Sequence, residues 1–188
     1  MPDHASLWPE EGPAASIENV IPVVGILAAS PCPSEIEEAL GALFGEPVER
    51  AGPWEFDATD YYEGELGPDL RRSFLAFRAR QPQLVAWKLA SAAIESNHAR
   101  PQGGRRFNLD PGYVSLGGLF LASTKAGPHR VHLAHGIHAE ITLFFGRGAW
   151  QKLPWTFPDF RTGRYDAFLT ACRDRLKREL RGRSGHAG

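Results

Sequence analysis

The sequence predicts an α+β fold, with a mainly antiparallel sheet and helices packed on one of its faces. Three observations carry that expectation. Val20–Ala29 is a continuous apolar run of strand length. Leu84–Ile94 and Tyr165–Leu180 repeat apolar residues at helical spacing. Arg130–Ala134 and Ile137–Phe145 flank His135-Gly136, the pattern of a hairpin.

Residues 1–18, rich in Pro, Ala and Glu without periodicity, read as a flexible leader. Val20–Ala29 follows as a buried strand, broken by Pro31 and Pro33. Ser34 suits an N-cap, and Glu35, Glu37 and Glu38 fall in the next turn, where a helix dipole favours acids. Ile36, Ala39, Leu40 and Leu43 form that helix's apolar stripe, and Gly45 with Pro47 ends it. Val48–Asp57 reads as a strand, Asp57–Gly67 as a polar, aromatic loop, and Leu70–Phe77 as strand or helix. Pro82 opens a helix to about His98, stopped by Pro101, Gly103 and Gly104. Phe107–Thr124 reads as strand passing through a type II turn at Asp110-Pro111-Gly112-Tyr113, with Pro second and Gly third. After the hairpin, Pro154–Pro158 is an irregular connector with Trp155 expected on the core. The last helix runs from Thr162 to about Arg181, and residues 183–188 read as a disordered tail. The first six elements fit a ferredoxin-like βαββαβ unit, to which the hairpin and C-terminal helix are added. All lie in a single domain over residues 19–182.

Composition narrows the function classes. No apolar run approaches the roughly 18 residues of a membrane span, so no membrane association is expected. The N-terminus has neither the basic nor the apolar region of a signal peptide, and two cysteines make no disulfide framework, so a cytoplasmic location is expected. Charge is divided unevenly: residues 1–70 hold 15 acidic residues and one basic, residues 71–188 hold 7 acidic and 20 basic. Two halves that pair within one fold explain this split. No nucleic-acid-binding pattern accompanies the basic half, so nucleic acid is not an expected partner. GxxxxGK[ST], GxGxxG, GxSxG and HExxH are all absent. Cys172 lies on the apolar line of the last helix, a core position.

Several blocks resemble a known family. Phe56-Asp57-x-Thr59-Asp60-Tyr61-Tyr62, Arg106-x-Asn108-Leu109-Asp110-Pro111-Gly112-Tyr113, Ala122-Ser123-Thr124-Lys125, His129-Arg130 with Gly136–Leu143, and Leu153-Pro154-Trp155-Thr156-x-Pro158-Asp159-x-Arg161 are similar to the segments of the domain of unknown function 4416 family. They keep its order across roughly Val20 to Leu180. The resemblance implies no activity. His132 and His138 depart from the family pattern, in which an aromatic residue is common, so it implies no essential role for either.

Read as chemistry, Asp57 and Asp60 offer oxygen ligands suited to Mg²⁺, beside the phenols of Tyr61 and Tyr62. A side-chain-capped turn with tyrosines over a sheet edge accounts for the same residues. Asp110 fits the turn, whereas Arg106, Asn108 and Tyr113 have no structural explanation. Glu140 falls on the polar face of an alternating strand, either solvated or aimed into a cleft. His129, His132, His135 and His138 are spaced by three, which on a strand turns neighbours to opposite faces; only His129 lies in a family block. Candidate catalytic residues are therefore Asp57, Asp60, Asp110, His129 and Glu140. Candidate ligand-binding residues are Tyr61, Tyr62, Arg106, Asn108, Tyr113, Lys125, Arg130 and Arg161. Acids beside cations suit a phosphorylated or otherwise anionic small molecule, with Mg²⁺ as candidate cofactor and hydrolysis or phosphoryl transfer as reaction class. Two other readings use the same residues: a module that holds a nucleotide-like ligand or protein partner without chemistry, and a structural ion-pair network.

Overall fold

The computed structural model describes residues 18–29, 34–59 and 62–184. The expected leader up to residue 17, Asp60, Tyr61 and the tail from Gly185 lie outside the described residues. Eight strands and five helices follow one another as β1 (Ile21–Ala28), α1 (Ser34–Phe44), β2 (Glu49–Glu55), α2 (Glu63–Leu66), β3 (Arg71–Ala76), α3 (Leu84–Asn97), β4 (Phe107–Val114), β5 (Gly118–Ser123), β6 (Arg130–Ala134), β7 (Ile137–Gly146), β8 (Ala149–Lys152), α4 (Pro158–Arg161) and α5 (Asp166–Ser184).

All eight strands form one sheet in the order β2-β3-β1-β4-β5-β7-β6, and β8 pairs with the second half of β7. Every pairing is antiparallel. Its first four strands have the order of a ferredoxin-like unit, the two later strands flanking β1 on either side. Leu70–Phe77, ambiguous in sequence, is strand β3: its apolar residues fill both faces, and pairing with β1 and β2 decides the conformation.

β1 is buried at all eight positions, so both faces of the sheet need a cover. Val24, Ile26 and Ala28 pack under α1 and α3, against Ile36, Leu40, Phe44, Leu84 and Trp87. Ile21 and Val23 point the other way, with Phe74 and Ala76, against Phe160 and the Phe168, Leu169, Cys172 and Leu176 stripe of α5. The helices of the ferredoxin-like unit thus share one face, and the C-terminal helix closes the opposite one. A strand of eight apolar residues requires that second layer.

The Asp110-Pro111-Gly112-Tyr113 segment is not a type II turn. It lies inside β4, which pairs with β1 over eight consecutive residues, and Gly112 is not among the glycines of positive φ. The reversal comes later, at Ser115–Gly117, where the Ser115 hydroxyl accepts from the N–H groups of Gly117 and Gly118 at 3.2 and 3.1 Å. Long-range pairing overrides the local turn preference. Glycine is needed at 112 for a different reason: a Cβ there would lie 2.2 Å from the carbonyl oxygen of Phe120. Trp155 also departs from expectation; it is 37% exposed and donates its indole N–H to the Ile141 carbonyl at 2.9 Å.

Candidate functional site

β4 and β5 pair only through Gly112–Val114. Upstream, the edge of β4 is bonded by side chains instead. Leu109 N–H donates to Glu95 Oε1 at 2.5 Å, and its carbonyl accepts from Lys88 Nζ at 2.8 Å. Both partners rise from α3 and are buried. Residues two apart turn their N–H to the same edge, and Pro111 has none to offer. The ladder between β4 and β5 therefore stops, and a cavity of about 140 Å³ lies beside the interruption.

One wall of this cavity is an ion-pair chain. Arg72 Nη1 is 2.8 Å from Asp110 Oδ2, and its Nε is 3.5 Å from Asp159 Oδ2. Arg105 donates to Asn108 Oδ1 at 2.7 Å and binds both oxygens of Glu65 at 2.6 Å. Burial pushes the Asp110 carboxyl up, but Arg72 and Lys88 together outweigh it and hold the carboxyl below its ordinary value. For Asp159 the balance reverses: burial exceeds the pull of Arg72, and its carboxyl is raised. Burial likewise raises Glu95.

The facing wall comes from β6 and β7. Glu140 is 2% exposed, and its Oε2 lies 2.7 Å from Arg130 Nε and 3.2 Å from His129 Nε2. Arg130 is braced in turn through Nη1, which donates to the Lys125 carbonyl at 2.9 Å. The β5–β6 loop is shaped by Ser123 Oγ, which accepts from Lys125 N–H at 3.0 Å. Phe56, Tyr62, Phe157 and Phe160 supply apolar surface to the cavity.

Three polar atoms of the lining residues are buried with no hydrogen-bond partner: Arg72 Nε, Asn108 Nδ2 and Glu140 Oε1. Asn108 still helps to hold the Asp110 carboxyl low, so its amide is turned toward that residue. Arg72 Nε still faces Asp159 and the Asn108 amide faces Asp110, so Glu140 Oε1 is the atom that marks a place for water or ligand.

A family model matches residues 18–176 of the 188-residue chain. The chain belongs to the DUF4416 family, described as a domain of unknown function. The DUF4416 match takes in every residue that lines the cavity, from Phe56 to Phe160. No curated protein and no solved structure matches the chain.

Of the expected site residues in this DUF4416 chain, Tyr62, Asn108, Asp110, Lys125, Arg130 and Glu140 meet in the cavity. Five others do not line it. Asp57 is exposed and pairs with Arg164 at 3.2 Å, a bond that lowers its carboxyl. Arg106 pairs with Glu35 at 3.6 Å, because its neighbour Arg105 is the one turned inward. Tyr113 stacks on Phe120, with centroids 4.9 Å apart. His129 stands behind Glu140 and stacks on Trp155. Arg161 donates to the Leu153 carbonyl at 2.9 Å, a purely architectural bond. His132 and His138 face each other across β6 and β7, with ring centroids 5.1 Å apart.

Asp60, one of the two expected Mg²⁺ ligands, lies outside the described residues. Among the described residues no group of three or more His, Cys, Asp or Glu side chains could hold a metal ion. Asp110 and Asp159 converge on a guanidinium, which already supplies the positive charge there. Arg72, Lys88, Arg105 and Asp159 are the lining residues the sequence reading missed. Two signals were available. Lys88 lies four residues beyond Leu84 on the buried side of its helix, and Arg72 shares strand parity with Phe74 and Ala76. Among the described residues no helix is long and apolar enough to cross a membrane.

Proposed function

We propose that the cavity between β4 and β5 binds a small anionic molecule, a phosphate ester first, and that hydrolysis or phosphoryl transfer is its reaction class. The lining charge supports this. Arg72, Lys88, Arg105, Lys125 and Arg130 outnumber Asp110, Glu140 and Asp159, and an excess of cations in a confined site favours an anion. Glu140 Oε1 is the group equipped to take a proton. In hydrolysis it would accept one from a water molecule as the water oxygen bonds to phosphorus. The ester P–O bond breaks, and the departing oxygen is protonated from solvent. In transfer, an acceptor hydroxyl replaces the water. The cytoplasm is the compartment we assign to this activity.

One observation favours a second reading, binding without turnover. Glu140 Oε2 already faces Arg130 and His129, which fixes the residue as part of the cavity wall. Phosphorus NMR of the protein with inorganic phosphate, sugar phosphates and nucleotides, alongside thermal unfolding, separates the readings. A stabilising ester that is converted supports the enzyme; one that stabilises and survives supports the binder. No stabilisation by any of them would sink both.

A further inference from the structure

We propose that His132 and His138 form a two-histidine site for a divalent transition-metal ion, zinc first, that clips β6 to β7. The site is separate from the anion-binding cavity and stands or falls without it. The two residues are Cα partners across β6 and β7, so their side chains leave the same face of the sheet side by side. Their ring centroids lie 5.1 Å apart, with the planes inclined at 65°. His138 Nδ1 is buried and has no hydrogen-bond partner. Buried ring nitrogens are ordinarily satisfied, and a neutral imidazole offers one lone pair to a metal.

The spacing is that of two imidazoles on one tetrahedral ion. With Zn–N bonds of about 2.0–2.1 Å, the ring centres stand about 5.2 Å apart at the tetrahedral angle and about 4.5 Å apart at the right angle of a square-planar ion. The observed 5.1 Å fits the first. Ser123, the Cα partner of His138 on β5, is committed to Lys125, its Oγ accepting at 3.0 Å. Water completes the coordination, since among the described residues the pair has no third His, Cys, Asp or Glu beside it. Glu140 supplies nearby negative charge, two residues beyond His138 and about 7 Å along the strand. The ion would tie down a sheet edge: β6 pairs with β7 alone, and that ladder shifts register between His132 and Ala134. An ion bound only by the folded chain raises its stability.

The test titrates zinc chloride into the full chain by calorimetry and follows thermal unfolding of the same samples. One ion per chain is expected, with a rise in the unfolding midpoint. His132→Phe and His138→Phe keep a ring at each position; each should weaken binding at least tenfold and remove the rise. A smaller loss in either variant overturns the proposal, because the ion is then held elsewhere or by a lone imidazole. A wild-type protein that binds no zinc overturns it as well. Should neither variant fold, imidazole NMR of the wild-type protein decides. One equivalent of zinc should shift the His132 and His138 ring signals together, and movement of other histidines in their place overturns the site. None of these outcomes bears on phosphate binding.

Discussion

Arg72 and Asp110 meet across a strand that belongs to neither of them. Arg72 is on β3 and Asp110 on β4, with β1 between, and the guanidinium passes over Gly25 to reach the carboxylate at 2.8 Å. Gly25 pairs with Asp110 on one side and Phe74 on the other. A Cβ at this glycine would stand 3.2 Å from Arg72 Nη1 and 3.1 Å from Phe74 Cε1. The wall of the cavity therefore depends on an absent side chain.

Replacing that glycine tests the dependence. Phe74 is wedged among Phe160, Tyr165 and Phe168, and Arg72 is buried, so neither can yield cheaply. Gly25→Ala should destabilise the protein by about 1–2 kcal/mol, as overpacking does. Urea unfolding measures it; an unchanged midpoint would mean that Arg72 has another route to Asp110.

The same pair makes a pH prediction. The Asp110 carboxyl titrates below its ordinary value of 3.8 in the folded protein. Its contribution is fully present above that value and is lost as pH falls through the folded-state value. Asp110→Asn should cost less than the roughly 3–5 kcal/mol of breaking a fully buried pair, because the Asp110 side chain is 26% exposed. Thermal unfolding at pH 7 should show wild type the more stable, and the gap should close as pH drops below 3.8. A gap that widens instead would reverse the assigned sign.

Lys88 and Glu95 replace the missing strand ladder at Leu109. Lys88→Met keeps the volume and leaves the Leu109 carbonyl without its donor, while Glu95 keeps the Leu109 N–H and Arg105. The expected loss is about 1–3 kcal/mol. Adding Glu95→Gln should cost less than the two single losses summed, because the residues share one network. Strict additivity in denaturant unfolding would show that they act independently.

Gly112 makes the strongest stability prediction. Its added Cβ would meet the Phe120 carbonyl oxygen at 2.2 Å and Leu121 Cδ2 at 2.6 Å, and the oxygen belongs to backbone. Gly112→Ala should destabilise by about 3 kcal/mol or more, the upper end of overpacking. A loss below that of Gly25→Ala in the same assay would contradict the close approach of β4 and β5.

Helices and strands were legible in the sequence where short-range pattern decides them. Ile36, Leu40 and Phe44 lie one helical turn apart and are all buried; Ile137 to Leu143 alternates and forms β7. The site was half legible. Asn108, Glu140 and Arg130 stood out as polar residues in apolar strands. Arg72 and Lys88 did not, since a cation in a mixed segment looks like surface until its partner is known. The choice of Arg106 over Arg105 shows the limit: the two are adjacent, and only the start of β4 decides which turns inward.

By itself, then, the sequence determined the order and kind of most elements, because hydrophobic period and proline or serine placement act within about a turn of chain. It also carried the family blocks. Tertiary structure decided what those elements enclose. It made Asp110-Pro111-Gly112 a strand, since eight pairings with β1 outweigh a four-residue turn preference. It put a helix layer on each side of β1. It brought Arg72, Asn108, Asp110 and Glu140, from strands 3, 4 and 7, around one cavity. The Arg72–Asp110 and Arg105–Glu65 contacts join residues 38 and 40 positions apart, a separation that leaves no local period to read.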